Sequence, residues 1–140
     1  MKNKAVIDAH AHLDLVHEDE ALNELIFRKN RSICTCLSAG NMDEWVKYRR
    51  LTEDFAETTW VSFGIHPWYS RGEDPSKYTD VYRDCIIIGE IGLDTLWTDV
   101  PYEQQHRVFT KQLAIAEKFE KPILLHTKNC ERDVYELVKG

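Results

Sequence analysis

Short apolar runs rich in β-branched residues alternate along the chain with segments in which apolar residues recur at helical spacing. Runs of the first kind, bounded by polar or turn-forming residues, are typical of buried strands. Residues three or four positions apart share one face of a helix, so the second kind indicates amphipathic helices packed on a core. The pattern predicts five strands, at residues 5–8, 33–37, 60–65, 86–89 and 123–125.

Apolar residues recur at helical spacing between these strands and in the segment after the last one. The signal is weakest between the third and fourth strands, where Asp74 before Pro75 indicates a helix start. The other predicted helical faces are Leu22, Leu25 and Ile26; Tyr48, Leu51 and Phe55; and Phe109, Leu113 and Ala116; a last helix is predicted over residues 129–139.

Strands separated by helices indicate parallel pairing through right-handed crossovers, with the βα unit repeated about five times. Two architectures have this element order, an open doubly wound sheet and a (β/α)₈ barrel. An open nucleotide-binding sheet is typically marked by a glycine-rich turn after its first strand, whereas this chain has Asp8-Ala9-His10-Ala11-His12 there. We therefore expect an α/β fold that is part of a TIM (β/α)₈-type barrel with parallel strands.

Composition places the chain among ordinary folded domains. Hydrophobic residues make up 43% and charged residues 30% of its 140 residues, which is far from the composition of disordered chains. No apolar run approaches the roughly 20 residues of a membrane helix, and the first residues lack the apolar core of a secretory signal. We expect one cytoplasmic domain over residues 1–140, with no membrane partner and with its four cysteines reduced.

The formal net charge of −6 provides no broad basic surface of the kind that drives sequence-independent nucleic-acid binding. A phosphate-containing substrate would therefore have to be held locally. Cations bound in the site would supply much of the attraction.

Two histidines at the end of the first predicted strand are candidate metal ligands. In a strand, Asp8, His10 and His12 are spaced to project from one face, so both imidazoles can reach the same ion. A single histidine on a strand is more often structural, but two at this spacing favour a metal site because neutral imidazole is a common ligand.

Other polar residues occupy the same place after later strands. His66 follows the third strand, Glu90 the fourth and His126 the fifth. In a barrel, the carboxyl ends of the strands converge on the face where active sites are built. Glu90 follows an apolar run, where an unpaired carboxylate would be costly to bury, and a metal ion would offset that cost. A purely structural explanation must account for all of these positions at once.

Four ordered motifs resemble those of the TatD-like metal-dependent deoxyribonucleases, and the resemblance spans nearly the whole chain. They are residues 8–14 (DAHAHLD), 64–67 (GIHP), 89–94 (GEIGLD) and 122–126 (PILLH), together with Gln105, Phe109, Gln112, Leu113 and Ala116 on the helix after the fourth strand. By this resemblance, the chain is a hydrolase of phosphodiester bonds whose substrate is DNA or another phosphodiester.

The resemblance also implies roles for individual residues. His10 and His12 would bind the first of two divalent metal ions, Glu90 would bridge both ions as the catalytic carboxylate, and His126 would bind the second ion. His66 at the mouth would contact substrate. Two ions that share a carboxylate suit phosphodiester hydrolysis without a nucleophilic side chain. Magnesium, manganese and zinc remain open as the metal.

The chain departs from the family pattern at several points. Lys128 stands where the family usually has an arginine, so phosphate would meet a point charge instead of a bidentate fork. Thr95-Leu96-Trp97 replaces the aromatic residues that commonly follow the third motif, residues 89–94. Of the tryptophans, Trp68 is the best placed to face a substrate base, and the others are expected in packing roles. Because a complete barrel takes about 250 residues, we expect the sequence to stop before the sixth strand, the metal site to be incomplete and nuclease activity to be low.

Two alternatives remain open at the level of the sequence. Related metal-dependent barrels that hydrolyse amides, lactones or esters also carry two such histidines on the first strand, but a carboxylated lysine at the fourth-strand end would favour that class, and Glu90 stands here. A partial barrel can also be a non-catalytic binding module. Open sheet edges would in that case promote self-association.

Overall fold

The computed structural model describes residues 6–13 and 15–139, which contain five strands and five α-helices. Residues 5 and 14, which belong to the predicted first strand and the first motif, lie outside the described residues. The strands are β1 (Val6–Ala11), β2 (Ile33–Ala39), β3 (Thr59–Phe63), β4 (Ile88–Asp94) and β5 (Ile123–Lys128). The helices are α1 (Glu18–Asn30), α2 (Met42–Leu51), α3 (Thr79–Asp84), α4 (Tyr102–Lys118) and α5 (Glu131–Val138), with 3₁₀ turns at Glu53–Phe55, Pro67–Tyr69 and Pro75–Tyr78.

All five strands pair in parallel in the order β1-β2-β3-β4-β5, so each new strand joins the edge of the one before it. A doubly wound sheet instead reverses its strand order near the middle. Sequential addition in one direction is the topology of a barrel wall, and the predicted partial (β/α)₈ fold is confirmed. The carboxyl ends of the strands consequently lie along one rim.

Large side chains between the outer face of the sheet and the helices form the core. Leu37 on β2 and Phe63 on β3 are fully buried, as are Tyr82 on α3 and Phe109 on α4. Burying apolar area of this size is the main favourable contribution to folding. The core therefore holds the helices against the sheet and makes the strand ends a rigid platform.

The two outer strands are much less covered. Val6 and Ile7 on β1 are 59% and 66% exposed, and Leu125 on β5 is 36% exposed, as expected for the edges of the sheet. Within the described residues, neither β1 nor β5 has a strand on its outer side. Apolar side chains therefore remain accessible along both edges.

The boundaries of some elements differ from the prediction. β4 begins at Ile88 instead of residue 86, and Ile86 is exposed in the preceding turn. The predicted helix start at Asp74 is a 3₁₀ turn in which the Asp74 side chain accepts a hydrogen bond from the Ser76 amide, and α3 follows it. None of the described helices is long and apolar enough to cross a membrane. The four cysteines are free thiols.

Candidate metal centre

The ends of β1, β4 and β5 bring three histidines around one carboxylate. Glu90 Oε2 lies 3.4 Å from His10 Nε2 and 3.7 Å from His12 Nε2, and Glu90 Oε1 lies 3.0 Å from His126 Nδ1. The predicted convergence of these four residues is therefore observed. Glu90 is at the centre because it reaches β1 with one oxygen and β5 with the other.

The donor atoms fall into two overlapping groups. His10, His12 and Glu90 offer atoms within 4.8 Å of one another, and so do His66, Glu90 and His126. Glu90 is common to both groups. His66 enters the second group because its Nε2 lies 3.0 Å from His126 Nδ1, closer to the donor atoms than the sequence alone indicated.

Asp8 does not join this cluster, so the prediction that it shares a face with both histidines is wrong. The pairing of β1 with β2 shifts register between Asp8 and Ala11, and this irregularity breaks the period of two. The Asp8 carboxylate instead forms an ion pair with Arg28 of α1 at 2.6 Å, and this guanidinium lowers the pKa of Asp8. His10 is oriented by a contact of 3.1 Å between its Nδ1 and Ser38 Oγ.

Two glycines let β4 approach β5 closely beside Glu90. A Cβ atom on Gly92 would lie 1.8 Å from the carbonyl oxygen of His126, and one on Gly89 would lie 2.5 Å from Leu124 Cβ. No side chain fits at such distances. The glycines thus permit the approach that sets Glu90 against His126.

Asp94 is a functional residue to which the sequence analysis assigned no role. Its side chain is fully buried, and its Oδ2 lies 3.0 Å from His126 Nε2. Burial alone would raise the pKa of Asp94, but hydrogen bonds from Trp68, from the backbone of Trp97 and Leu96, and from His126 outweigh it and lower the pKa to about 2. The ionised carboxylate holds the proton of His126 on Nε2, which turns Nδ1 toward Glu90. In the sequence, the available signal for this role was a carboxylate four residues after Glu90.

Hydrogen-bond directions around His66 and His126 leave a place that suits a cation. The Trp68 amide donates to His66 Nδ1 at 3.2 Å, so neutral His66 carries its proton on Nε2 and donates to His126 Nδ1. Neutral His126 uses its own proton toward Asp94. Its Nδ1 then has no proton for Glu90 Oε1, and two acceptors face each other at 3.0 Å.

Either a proton or a metal ion resolves this conflict. Burial would lower the pKa of His126, but the hydrogen bonds to Glu90 and Asp94 outweigh it and raise the pKa. The donor set of imidazole nitrogens and a carboxylate is one that divalent transition metals prefer. These residues therefore fit a metal ion, because the lone pairs of His126 Nδ1 and Glu90 Oε1 face each other.

The other ionisable groups hold the protonation states that metal ligands require. Burial lowers the pKa of His10, and it lowers the pKa of His66 to about 4, so both imidazoles are neutral near pH 7. Burial would raise the pKa of Glu90, but its contacts with His12 and His126 outweigh burial and keep the carboxylate ionised. Neutral imidazole and ionised carboxylate are the forms that coordinate metals.

A cavity of about 390 Å³ opens over these donor atoms and has an aromatic rim. Besides the four histidines and Glu90, its lining includes Trp68, Trp97, Tyr69, Leu15 and Glu44. Lys128 at the end of β5 lies at this rim, with its Nζ 3.6 Å from the centre of the Trp97 ring. Lys128, which was predicted to bind substrate, is therefore near the mouth and not among the grouped donor atoms.

Two buried glutamines on α4 support the loops that carry the site. The Gln105 side chain accepts a hydrogen bond from the Asp94 amide at 2.8 Å and donates to the Asp94 carbonyl at 2.9 Å. The Gln112 side chain pairs in the same way with both backbone groups of Ile65, at 2.7 and 3.1 Å. The sequence signal for this role was the presence of polar residues on the face of α4 that is otherwise apolar and buried.

Comparisons with known proteins identify the family to which the chain belongs. The family model for TatD related DNase matches residues 7–140. The human 3'-5' RNA nuclease TATDN2 is 28% identical over 149 residues, covering 95% of this chain and 19% of that protein. The uncharacterized metal-dependent hydrolase MJ1582 of Methanocaldococcus jannaschii is 27% identical over 150 residues, covering 99% of this chain and 57% of that protein.

A solved structure shows the same fold. The crystal structure of YJJV, a TatD homolog from Escherichia coli K12, superimposes with a TM-score of 0.81 at 20% identity, over 96% of this chain and 55% of that chain. The chain thus spans about half the length of that structure and of the archaeal hydrolase. Since the family model covers the described strands, helices and donor residues together, the chain belongs to the TatD related DNase family.

Proposed function

We propose that this chain carries residues of a divalent-metal-dependent phosphodiesterase site that acts on nucleic acid. The observation that carries this proposal is the position of Glu90, which lies between His10 and His12 on one side and His126 on the other. A carboxylate between two groups of imidazole nitrogens suits two neighbouring metal ions, which could share it. The family membership and the names of the relatives point to the same chemistry.

Each residue has a defined part in this proposal. His10, His12 and Glu90 would hold one ion, and Glu90 with His126 would hold the other. When bound, two such ions activate water and stabilise charge on the attacking and leaving oxygens of a phosphodiester. Asp94 keeps the His126 ring oriented through its contact with Nε2.

His66 and Lys128 supply the contacts to phosphate in this proposal. Because Nδ1 of His66 accepts the Trp68 amide proton, the neutral ring carries its proton on Nε2, where it donates to His126 Nδ1. With a metal ion on His126 Nδ1, this N–H would be available to a phosphate oxygen. An uncharged N–H donor is better suited to binding a phosphate oxygen than to binding a metal ion. Lys128 adds a positive charge at the rim, which matters in a chain with a net charge of −6.

A single hydrolase domain over residues 1–140 and a cytoplasmic location stay predictions. The number and identity of the metal ions and the choice of DNA or RNA belong to the proposal as well. Glu90 on β4 favours phosphodiesters over amides and lactones, for which a carboxylated lysine is common at that position.

Parallel assays on the 140-residue chain test the proposal. We expect turnover to be slow, confined to phosphodiesters such as bis-p-nitrophenyl phosphate and single-stranded oligonucleotides, dependent on added Mn²⁺, Zn²⁺ or Mg²⁺, and lost with a chelator or with Glu90→Gln. Glu117→Gln, an exposed change on α4, is the matched control and should leave turnover unchanged. Chelator-sensitive cleavage of amides or lactones without phosphodiester cleavage would overturn the assignment.

A further inference from the structure

Two exposed tryptophans border the cavity next to the proposed metal ligands. Trp68 is 45% exposed and Trp97 is 60% exposed, and both line the cavity that also contains Glu90 and His126. Single exposed apolar side chains are common on protein surfaces, but large aromatic rings gathered at a polar cavity indicate a binding surface. Trp97 was predicted to serve in packing, whereas the residue is largely open to solvent.

One buried carboxylate positions both tryptophans. Asp94 Oδ2 accepts a hydrogen bond from the indole Nε1 of Trp68 at 2.7 Å, and Asp94 Oδ1 accepts one from the backbone amide of Trp97 at 2.8 Å. The same carboxylate contacts His126. The ring of Trp68 and the backbone of Trp97 are therefore held in defined positions relative to the donor atoms, so binding there requires less reordering of the protein.

Lys128 places a positive charge on the same rim. Its Nζ lies 3.6 Å from the centre of the Trp97 ring, in a cation–π contact. Lys128 pairs with Asp94 across β4 and β5, so the lysine and the tryptophan are presented by neighbouring strand ends. With the lysine in place, more than half of the Trp97 surface is still accessible. An ammonium group over the ring and the ring surface that remains accessible can contact the phosphate and the base of one nucleotide.

We propose that Trp97 and Lys128 form a nucleotide subsite in which the indole stacks on a base and the ammonium contacts the adjoining phosphate. This inference rests on the proposed function, because it adds a base-binding contact to a phosphodiesterase site. Stacking on an aromatic side chain accepts any base, so the subsite selects nucleic acid over other phosphodiesters without selecting a sequence. Trp68, held by the same carboxylate, borders the other part of the cavity.

Adenosine 5'-monophosphate and ribose 5-phosphate separate the two contacts, since they share the sugar and the phosphate and differ in the base. The four tryptophans provide four indole N–H signals in an NMR spectrum of the ¹⁵N-labelled chain, recorded with a chelator present. We expect adenosine monophosphate to shift the Trp97 signal and to bind at least about 5-fold more tightly than ribose 5-phosphate. Trp45, buried on α2, and Trp60, near the start of β3, serve as internal controls and should not move.

Variants assign each contact to its residue. Trp97→Leu should weaken adenosine monophosphate about 5- to 100-fold and leave ribose 5-phosphate unchanged, whereas Trp97→Phe should retain part of the difference. Lys128→Met should weaken both ligands alike because it removes the charge and keeps the apolar stem. Trp60→Phe is the matched control for loss of an indole signal. The remaining indole signals report whether each variant is folded.

The outcomes for the subsite and for the proposed function are distinguishable. Equal binding of the two ligands, or unchanged nucleotide binding by Trp97→Leu, would overturn the subsite even if the chain cleaves phosphodiesters. Base-dependent binding through Trp97 in a chain that cleaves none would support the subsite and count against the proposed function.

Discussion

The two acidic residues on β4 that contact His126 have different roles. Glu90 faces three histidines with both of its oxygens, whereas Asp94 is buried behind His126 and between two tryptophans. Only the first is placed to share a metal ion. The second orients the ring that would do so, and the two therefore differ in what their loss should change.

Replacing Glu90 with Gln should weaken Mn²⁺ binding by more than about 100-fold, the upper end of the effect of an outer-shell change. The reason is that one substitution removes the carboxylate common to both donor groups. Titration calorimetry on the parent and the variant measures the difference, with Glu117→Gln as the control. Equal affinity of Glu90→Gln and the parent would show that the ligand assignment is wrong.

Replacing Asp94 with Asn should weaken Mn²⁺ binding by about 10- to 100-fold, as expected for a residue that orients a ligand. An amide keeps the shape but can present its NH₂ group to His126 Nε2, which no longer holds the ring proton there. Because Asp94 also anchors both tryptophans, their indole NMR signals should shift in the metal-free variant. Unchanged indole signals together with unchanged metal affinity would contradict the positioning role.

At the scale of elements, strand and helix periodicity was a good guide except where polar groups were buried or the register changed. The apolar runs of the second and third strands were recognised because buried parallel strands are locally apolar. The irregularity in β1 was not predictable, since a shift in register is a property of strand pairing and not of one strand. The role of the glutamines on α4 likewise depends on the loops that they contact, which the sequence of the helix alone does not show.

Gln112→Ala should lower the free energy of unfolding by about 1–3 kcal/mol, the range for leaving buried polar groups without partners. The change removes hydrogen bonds to both backbone groups of Ile65 and to the Tyr82 hydroxyl. Equilibrium urea denaturation measures the effect, and Glu117→Ala on the exposed side of α4 provides the control. A variant as stable as the parent would show that Gln112 does not support the loop after β3.

At the scale of the whole molecule, the exposed edges of the sheet are the main feature. Edge strands with accessible apolar side chains recruit other strands, and Val6 and Ile7 make β1 the more exposed edge. We expect the average mass of the 140-residue chain in light scattering to rise with concentration, with roughly the doubling that a dimer gives.

Ile7→Lys should reduce this association, because a charge on an edge strand blocks pairing with another chain. Val46→Lys introduces the same charge at an exposed apolar position on α2 and should leave association unchanged. A parent chain of constant monomer mass at all concentrations would contradict the prediction, and equal effects of the two substitutions would mean that net charge and not the edge is responsible.

The sequence by itself determined the order of strands and helices and the placement of His10, His12, His66, Glu90 and His126 within a strand or shortly after one, because apolar runs and the polar residues that follow them are local features. Tertiary structure alone decided that Asp8 turns to Arg28, that Asp94 anchors His126 and two tryptophans, and that Lys128 lies over Trp97. Apart from the hydrogen bond between Asp94 and the Trp97 amide, three residues away, these contacts join residues 20 or more positions apart in the chain. They depend on the register and close approach of neighbouring strands, which no local pattern encodes.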